Sequence, residues 1–284
     1  MHKYDSRYVD ALIISFFILL SAITILPFMN VVTLSLEPEH IASETGVIHL
    51  FPREFTLDAY AAVWNHGSIQ QAFLNSSFIT IIGSALAVVV TAAMAYGLAQ
   101  REVPLMRMMT FLVLMTMVLK TGIMPQYLLM KNLNLLDSLW SVIFPHVVAA
   151  FNLILMKVYF ENLPKEMTES AKIDGCSDVG IFFRIILPVS APIVATIVLF
   201  YAVEYWNDYF NSVMYLSSEN KKTLQVLLRE LLIQGADGGG MDMVQLGKNM
   251  RMATAVYAIV PILLVYPFLQ KHFTKGILLG AVKG

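Results

Sequence analysis

The chain of 284 residues is 57% hydrophobic and 14% charged, against roughly 45–50% apolar and about 25% charged residues in soluble domains. That balance excludes an ordinary water-soluble enzyme or binding domain, and a formal net charge of −1 gives no reason to expect nucleic acid. A single cysteine, Cys176, excludes an intrachain disulfide.

An α-helix rises about 1.5 Å per residue and the hydrocarbon core of a bilayer is about 30 Å thick, so a spanning helix needs roughly 20 mostly apolar residues. Six stretches qualify: Val9 to Thr33, Ala72 to Ala99, Met106 to Met130, Leu139 to Phe160, Ile186 to Phe210 and Met252 to Phe273. They are too long and uninterrupted for the alternating strands of a barrel. The expected fold is an all-α integral membrane protein with six transmembrane helices.

The first stretch follows a short basic start (His2, Lys3, Arg7). Its apolar run is too long for a secretory signal and no small-residue cleavage site follows, so it reads as a retained helix. Beyond it Leu57, Tyr60, Ala61 and Trp64 recur at i, i+3, i+4 and i+7 behind a capping Thr56. This spacing predicts a short helix on the membrane surface, with Tyr and Trp in the aromatic belt or against a ligand. The second stretch carries Gly83, Ala87, Thr91, Ala95 and Ala99 at every fourth position, a stripe that admits another helix backbone without saying which one. Pro125 and Pro145 flank a polar connection with Asn132, Asn134 and Asp137. Pro261 and Pro267 lie inside the last stretch, where missing backbone donors encourage kinks.

Between the fourth and fifth stretches the local chemistry is that of two short helices joined by a tight turn. Pro164 suits a first helical turn, Glu166 and Glu169 favour the positive helix end, and Gly175 supplies the left-handed residue that stops it. Ser177 can cap a second helix through Ile181, Phe182, Ile185 and Ile186 before Pro188. Such a knob is either an ordinary connector or a plug for a groove on a partner. Six spans return both termini to one side. Eleven of the 19 Lys and Arg residues would share the face that holds this knob, against eight on the other, five of them in the long stretch between Val213 and Arg251. Long loops cross with little regard for charge, so both termini and the knob are expected in the cytoplasm.

The Gly238-Gly239-Gly240 run reads as a flexible loop tip. A phosphate cradle would need Gly-Lys-Ser/Thr ahead of a helix, and the chain has none. Its six histidines are scattered, with no His and carboxylate pair at ligand spacing, so no metal is expected. No nucleophile elbow is present either, and no catalytic residue is assigned.

Glu169-Ser170-Ala171, three residues, Gly175, nine residues, Ile185, one residue, then Leu187-Pro188 resembles the EAA loop of ABC-importer permeases, with Ser170 in place of Ala. Glu204 to Phe210, Thr223 to Val226, Tyr266 to Lys271 and Gly280 to Gly284 are similar to the carbohydrate branch of that family, MalG-like and within it LplC/YtcP-like. The likeness covers Phe73 to Gly284 and is weaker at the start. It implies a type I ABC-importer permease fold with a cytoplasmic coupling helix, in which Glu169, Ser170, Ala171, Asp174, Gly175 and Pro188 form the ATPase-coupling site. It further implies a transport subunit that is not itself an enzyme and holds no cofactor, with ATP and Mg bound by two partner ATPase subunits. The other implied partners are a homologous second permease, an extracellular or periplasmic solute-binding protein, membrane lipid and an oligosaccharide substrate. The implied location is the bacterial plasma (inner) membrane. On this reading 1–71 is a first helix and extracellular loop, 72–273 a permease core with its coupling loop at 161–185, and 274–284 a cytoplasmic tail. The Lys271 to Gly284 tail would reach toward the ATPases or serve as a basic membrane-edge anchor.

Tyr201, Glu204, Tyr205 and Asp208 fall on one helical face, and a carboxylate facing lipid costs a few kcal/mol at mid-membrane. With Trp206 and Asn207 nearby, and Asn152 in the fourth stretch, this face is a candidate lining for the outer part of a sugar path. The rival is that the carboxylates bind water or a neighbouring helix near the interface, and that Asn152 makes an interhelical hydrogen bond. For the whole chain the alternatives are an ion-gradient-driven secondary transporter or channel, a membrane scaffold, or a permease for another solute class. The first of these often carries inverted repeats, and no convincing repeat is seen here.

Overall fold

The structure is a computed structural model that describes residues 6–44, 48–100, 103–119, 121–237 and 247–281. Among the described residues every regular element is helical. The Gly238-Gly239-Gly240 tip and the last three residues of the tail lie outside them.

The first apolar stretch is α1 (Ser6–Ser35), followed by the short α2 (Glu39–Ala42) and α3 (Asp58–Asn65); the second is α4 (Gly67–Leu98). The third is not the continuous helix expected from Met106 to Met130. It divides into α5 (Pro104–Val118) and α6 (Ile123–Asn132), separated by the extended Gly122 (φ −66°, ψ 159°). Pro125 lies inside the first turn of α6 rather than beside a connection, at a position where its missing N–H has no intrahelical acceptor to lose. The fourth stretch is also broken: α7 (Leu139–Ile143), a 3-10 turn (Phe144–His146) and α8 (Ala150–Glu161), with a 47° bend. Pro145, beyond the polar connection, sits in the 3-10 turn that interrupts this span.

Next come α9 (Lys165–Ile173), α10 (Asp178–Ile181), a π-helical turn (Phe182–Ile186) and α11 (Leu187–Val189); an 83° bend then leads into α12 (Ala191–Trp206). The expected fifth span, Ile186 to Phe210, takes in the bend at Ser190 and runs past Asn207, where its helix ends. Beyond it lie α13 (Phe210–Tyr215), α14 (Leu224–Asp237) and α15 (Lys248–Ala281), the last continuing past Pro261 and Pro267. Among the described residues three helices are long and apolar enough to cross a membrane, and three bent pairs, each taken as one span, bring the candidate crossings to six.

Packing divides the chain into two units, one formed by the stretch up to Gln70 with Leu227–Val260, the other by Gln71–Val226 with the stretch from Pro261. In the first unit α3 buries Ala59 and Val63, while Leu57 and Trp64 are 56% and 63% exposed. The helix read from the sequence is present, and Thr56 Oγ1 accepts the Asp58 N–H at 3.1 Å. Its small residues allow close packing and its bulky ones stay outside, as suits an interfacial helix. In the second unit the four-residue stripe of α4 finds its partner in α12. Ala87, Thr91 and Ala95 are fully buried, and a Cβ at Gly83 would lie 2.9 Å from the Tyr205 ring. Lipid tails are as apolar as side chains, so such close packing and interhelical hydrogen bonds, not exclusion from water, hold these helices together.

Candidate functional site

The knob begins where Pro164 (φ −58°) leads into α9 and ends in a double hydrogen-bonded turn. Gly175 stands at φ +79°, its N–H reaches the Lys172 carbonyl at 3.0 Å, and the Cys176 N–H reaches the Ala171 carbonyl at 2.9 Å. That pair satisfies carbonyls that a helix end leaves open. Ser177 Oγ then accepts the Gly180 N–H at 3.2 Å and starts α10. Of the sequence-predicted coupling residues, Ala171 is buried in the same apolar cluster as Ile181 and Phe182, and Phe182 lies against Tyr96 of α4 with ring centroids 5.2 Å apart. Glu169, Ser170, Asp174, Gly175 and Pro188 are exposed. Beside them the apolar Ile173 is 86% exposed and Val179 66% exposed. The knob is thus anchored on one side and free on the other. The Lys172–Asp178 pair at 3.1 Å is open to solvent and adds little.

The second candidate face serves the broken fourth span. Its irregular turn would leave backbone groups unpaired at membrane depth, where no water can satisfy them. Side chains of α12 take that role: the Tyr201 hydroxyl accepts the Ala149 N–H at 3.0 Å and shares a 2.7 Å hydrogen bond with Thr91 of α4. Tyr205 donates to the Ile143 carbonyl at 2.9 Å. Both tyrosines and Trp206, which meets Phe73 edge-on at 5.8 Å, are buried within the chain. Glu204 and Asp208 come together through His146, a residue that the sequence reading passed over. His146 Nδ1 lies 3.0 Å from Glu204 Oε1, and Nε2 lies 3.5 Å from Asp208 Oδ2 and 2.6 Å from the Asn211 amide nitrogen. The Asn211 amide also donates to Asp208 at 3.0 Å. Glu204 keeps 40% of its side chain exposed and Asp208 only 7%. Asn207 stands outside this cluster and donates to the Val203 carbonyl at 2.9 Å, while Asn152 is buried on α8. The signal for His146 was its place beside Pro145 in an apolar run: a broken helix next to a polar ring demands partners.

Asp137 organises the connection ahead of the fourth span. Its Oδ1 accepts the N–H groups of Ser217 and Ser218 at 3.0 and 2.9 Å, and its Oδ2 accepts the Ser218 hydroxyl at 2.6 Å and Lys221 Nζ at 3.0 Å. The Ser218 hydroxyl first, then the Ser218 amide and Lys221, hold this carboxyl well below the usual range. An apolar groove of about 380 Å³ runs between α4 and α5, lined by Met94, Gly97, Met106, Met109, Leu112 and neighbours. It lacks the polar groups that would fix a hydroxyl-rich solute.

The sequence pattern of the family described as "Binding-protein-dependent transport system inner membrane component" matches residues 3–278. The polygalacturonan/rhamnogalacturonan transport system permease protein YtcP of Bacillus subtilis (strain 168) is 44% identical, covering 98% of this chain and 99% of that protein. Protein LplC of the same organism is 43% identical over 93% of this chain and 90% of its own length. Among solved structures, a chain of a bacterial ABC transporter involved in the import of the acidic polysaccharide alginate superposes with a TM-score of 0.85 at 26% identity, covering 96% of this chain and 99% of that one. Agreement in sequence and in backbone over nearly the whole length makes this chain a member of the family of binding-protein-dependent transport system inner membrane components.

Proposed function

We propose that the chain is the permease subunit of an ATP-driven oligosaccharide importer in the bacterial plasma membrane, with both termini and the α9 knob in the cytoplasm. Its partners are a homologous second permease, two ATPase subunits that bind ATP and Mg, and an external solute-binding protein. The observation that carries this reading is the geometry of the knob. Ala171 is locked in the core while Glu169, Ser170, Ile173 and Asp174 surround it on the open side, so a push on the knob moves α10 and α11 with it. The 83° bend at Ser190 passes that motion to α12. The solute-binding protein can bias such a rocking equilibrium only by binding one arrangement more tightly than the other. Glu204 on α12 faces the solute, held through His146 to Asp208 just beyond the helix.

An Ile173→Asp substitution tests the joint. The residue is exposed, so the chain should fold and reach the membrane, yet the ATPase subunits should no longer co-purify and uptake should fall to background. Full uptake with ATPase still bound would overturn the proposal. For the solute, binding of the cognate receptor to acidic oligogalacturonides and to neutral arabino-oligosaccharides decides which class is carried.

A further inference from the structure

The segment from Ile48 to Thr56 is folded back against the end of the first span, and its exposed side carries the apolar Ile48, Phe51 and Phe55 interleaved with the charged Arg53 and Glu54. No ionisable residue lies between Asp10 and Glu37, and the apolar span Val9–Ser35 is about 40 Å long at 1.5 Å per residue, against about 30 Å of hydrocarbon in a bilayer. Asn30 lies within the last two turns of that span, about 7 Å before the end of α1 at Ser35. The His49 N–H donates to Asn30 Oδ1 at 2.9 Å, which brings the strap beside those last turns.

Further bonds hold it there. His49 Nδ1 pairs with Glu37 Oε2 at 2.7 Å, both side chains being almost wholly buried. The Arg53 N–H donates to Glu37 Oε1 at 2.9 Å, and the Thr56 N–H to the Leu36 carbonyl at 2.8 Å. With its polar contacts turned inward, the strap presents Ile48, Phe51 and Phe55 outward at 73%, 76% and 68% exposure. Arg53 stays at the surface, paired with the exposed Glu44 at 3.0 Å.

We propose that this strap is a lipid anchor, with Ile48, Phe51 and Phe55 set into the headgroup–acyl boundary of the leaflet at which α1 ends. Aromatic and aliphatic side chains at that depth meet lipid rather than water, while interleaved charges stop them from going deeper. Its neighbour α3 fits the same placement: Tyr60 bonds Ser35 at 2.7 Å, and Leu57 and Trp64 are exposed. The anchor fixes the tilt and depth of α1 from outside the hydrocarbon.

The test uses the full chain with the subunits that accompany it, in phosphatidylcholine–phosphatidylglycerol nanodiscs. Phe51→Cys and Phe55→Cys are each labelled with an environment-sensitive fluorophore in a Cys176→Ser background, and Glu219→Cys, on an exposed 3-10 turn, is the reference. Lipids with a nitroxide high on the acyl chain should quench both strap labels strongly, and iodide should quench them several-fold less than the reference. Iodide quenching equal to the reference would place the strap in water and overturn the proposal. Protection from both quenchers would mean that another subunit or the solute-binding protein covers it, which overturns it equally.

Discussion

Gly175 and Asp137 act through backbone geometry. Nothing lies within 4 Å of a Cβ placed on Gly175, yet its φ of +79° is one that other residues rarely adopt. Gly175→Ala should therefore destabilise the knob by about 1–2 kcal/mol, visible as faster amide exchange across α9 with the spans unchanged. At Asp137 the prediction concerns pH. Hydrogen bonds from Ser218, Lys221 and Ser217 hold the native carboxyl below the about 3.9 of an unfolded chain. Their contribution is complete above that unfolded value and is lost as pH falls through the native one. Asp137→Asn should lower the thermal midpoint at neutral pH, and the gap to the parent protein should narrow on acidification below about pH 4. Gly175 was legible from the sequence because a helix stop has a local signature. The partners of Asp137 were not, since Ser217, Ser218 and Lys221 lie some eighty positions away.

The broken fourth span shows what an element owes to its neighbour. Removing the Tyr201 hydroxyl leaves the Ala149 N–H unpaired inside the membrane, and removing that of Tyr205 takes a donor from the Ile143 carbonyl. Tyr205→Phe and Tyr201→Phe should each destabilise by about 1–3 kcal/mol. The double variant should deviate from the sum, because both tyrosines serve one turn; thermal unfolding of the purified chain measures all three. Apolar content reveals that a stretch can cross a bilayer but not whether it does so in one piece. A Pro-centred break keeps the same composition as a straight helix, which is why Leu139 to Phe160 read as continuous. The third and fifth stretches, broken at Gly122 and bent at Ser190, keep the same apolar content as straight helices. The α4 stripe, in contrast, was legible as a packing surface, because small residues at four-residue spacing have few other uses. That it receives Tyr201 and Tyr205 of α12 depends on a helix more than a hundred residues later.

For the molecule as a transporter, the proposed path makes a separable prediction. Glu204→Gln should leave subunit assembly intact, since Glu204 is partly open to solvent, while oligosaccharide uptake falls and ATPase activity persists. Loss of ATPase together with uptake would instead assign Glu204 to the mechanical linkage. His146→Ala should lower uptake in the same way by releasing both carboxylates from their shared partner.

By itself the sequence determined the membrane class, the six apolar stretches, the capped and Gly-stopped knob and, through motif spacing, the family. These rest on signals carried within a few turns of chain: apolar length, a cap, a left-handed glycine. Only the tertiary structure decided where the spans break, which helix fills the α4 stripe, that Ala171 faces inward while Ile173 faces out, and that His146 draws Glu204 and Asp208 together. Each of these depends on groups far apart in the chain meeting at distances of about 3 Å, and local composition and periodicity hold no record of such meetings.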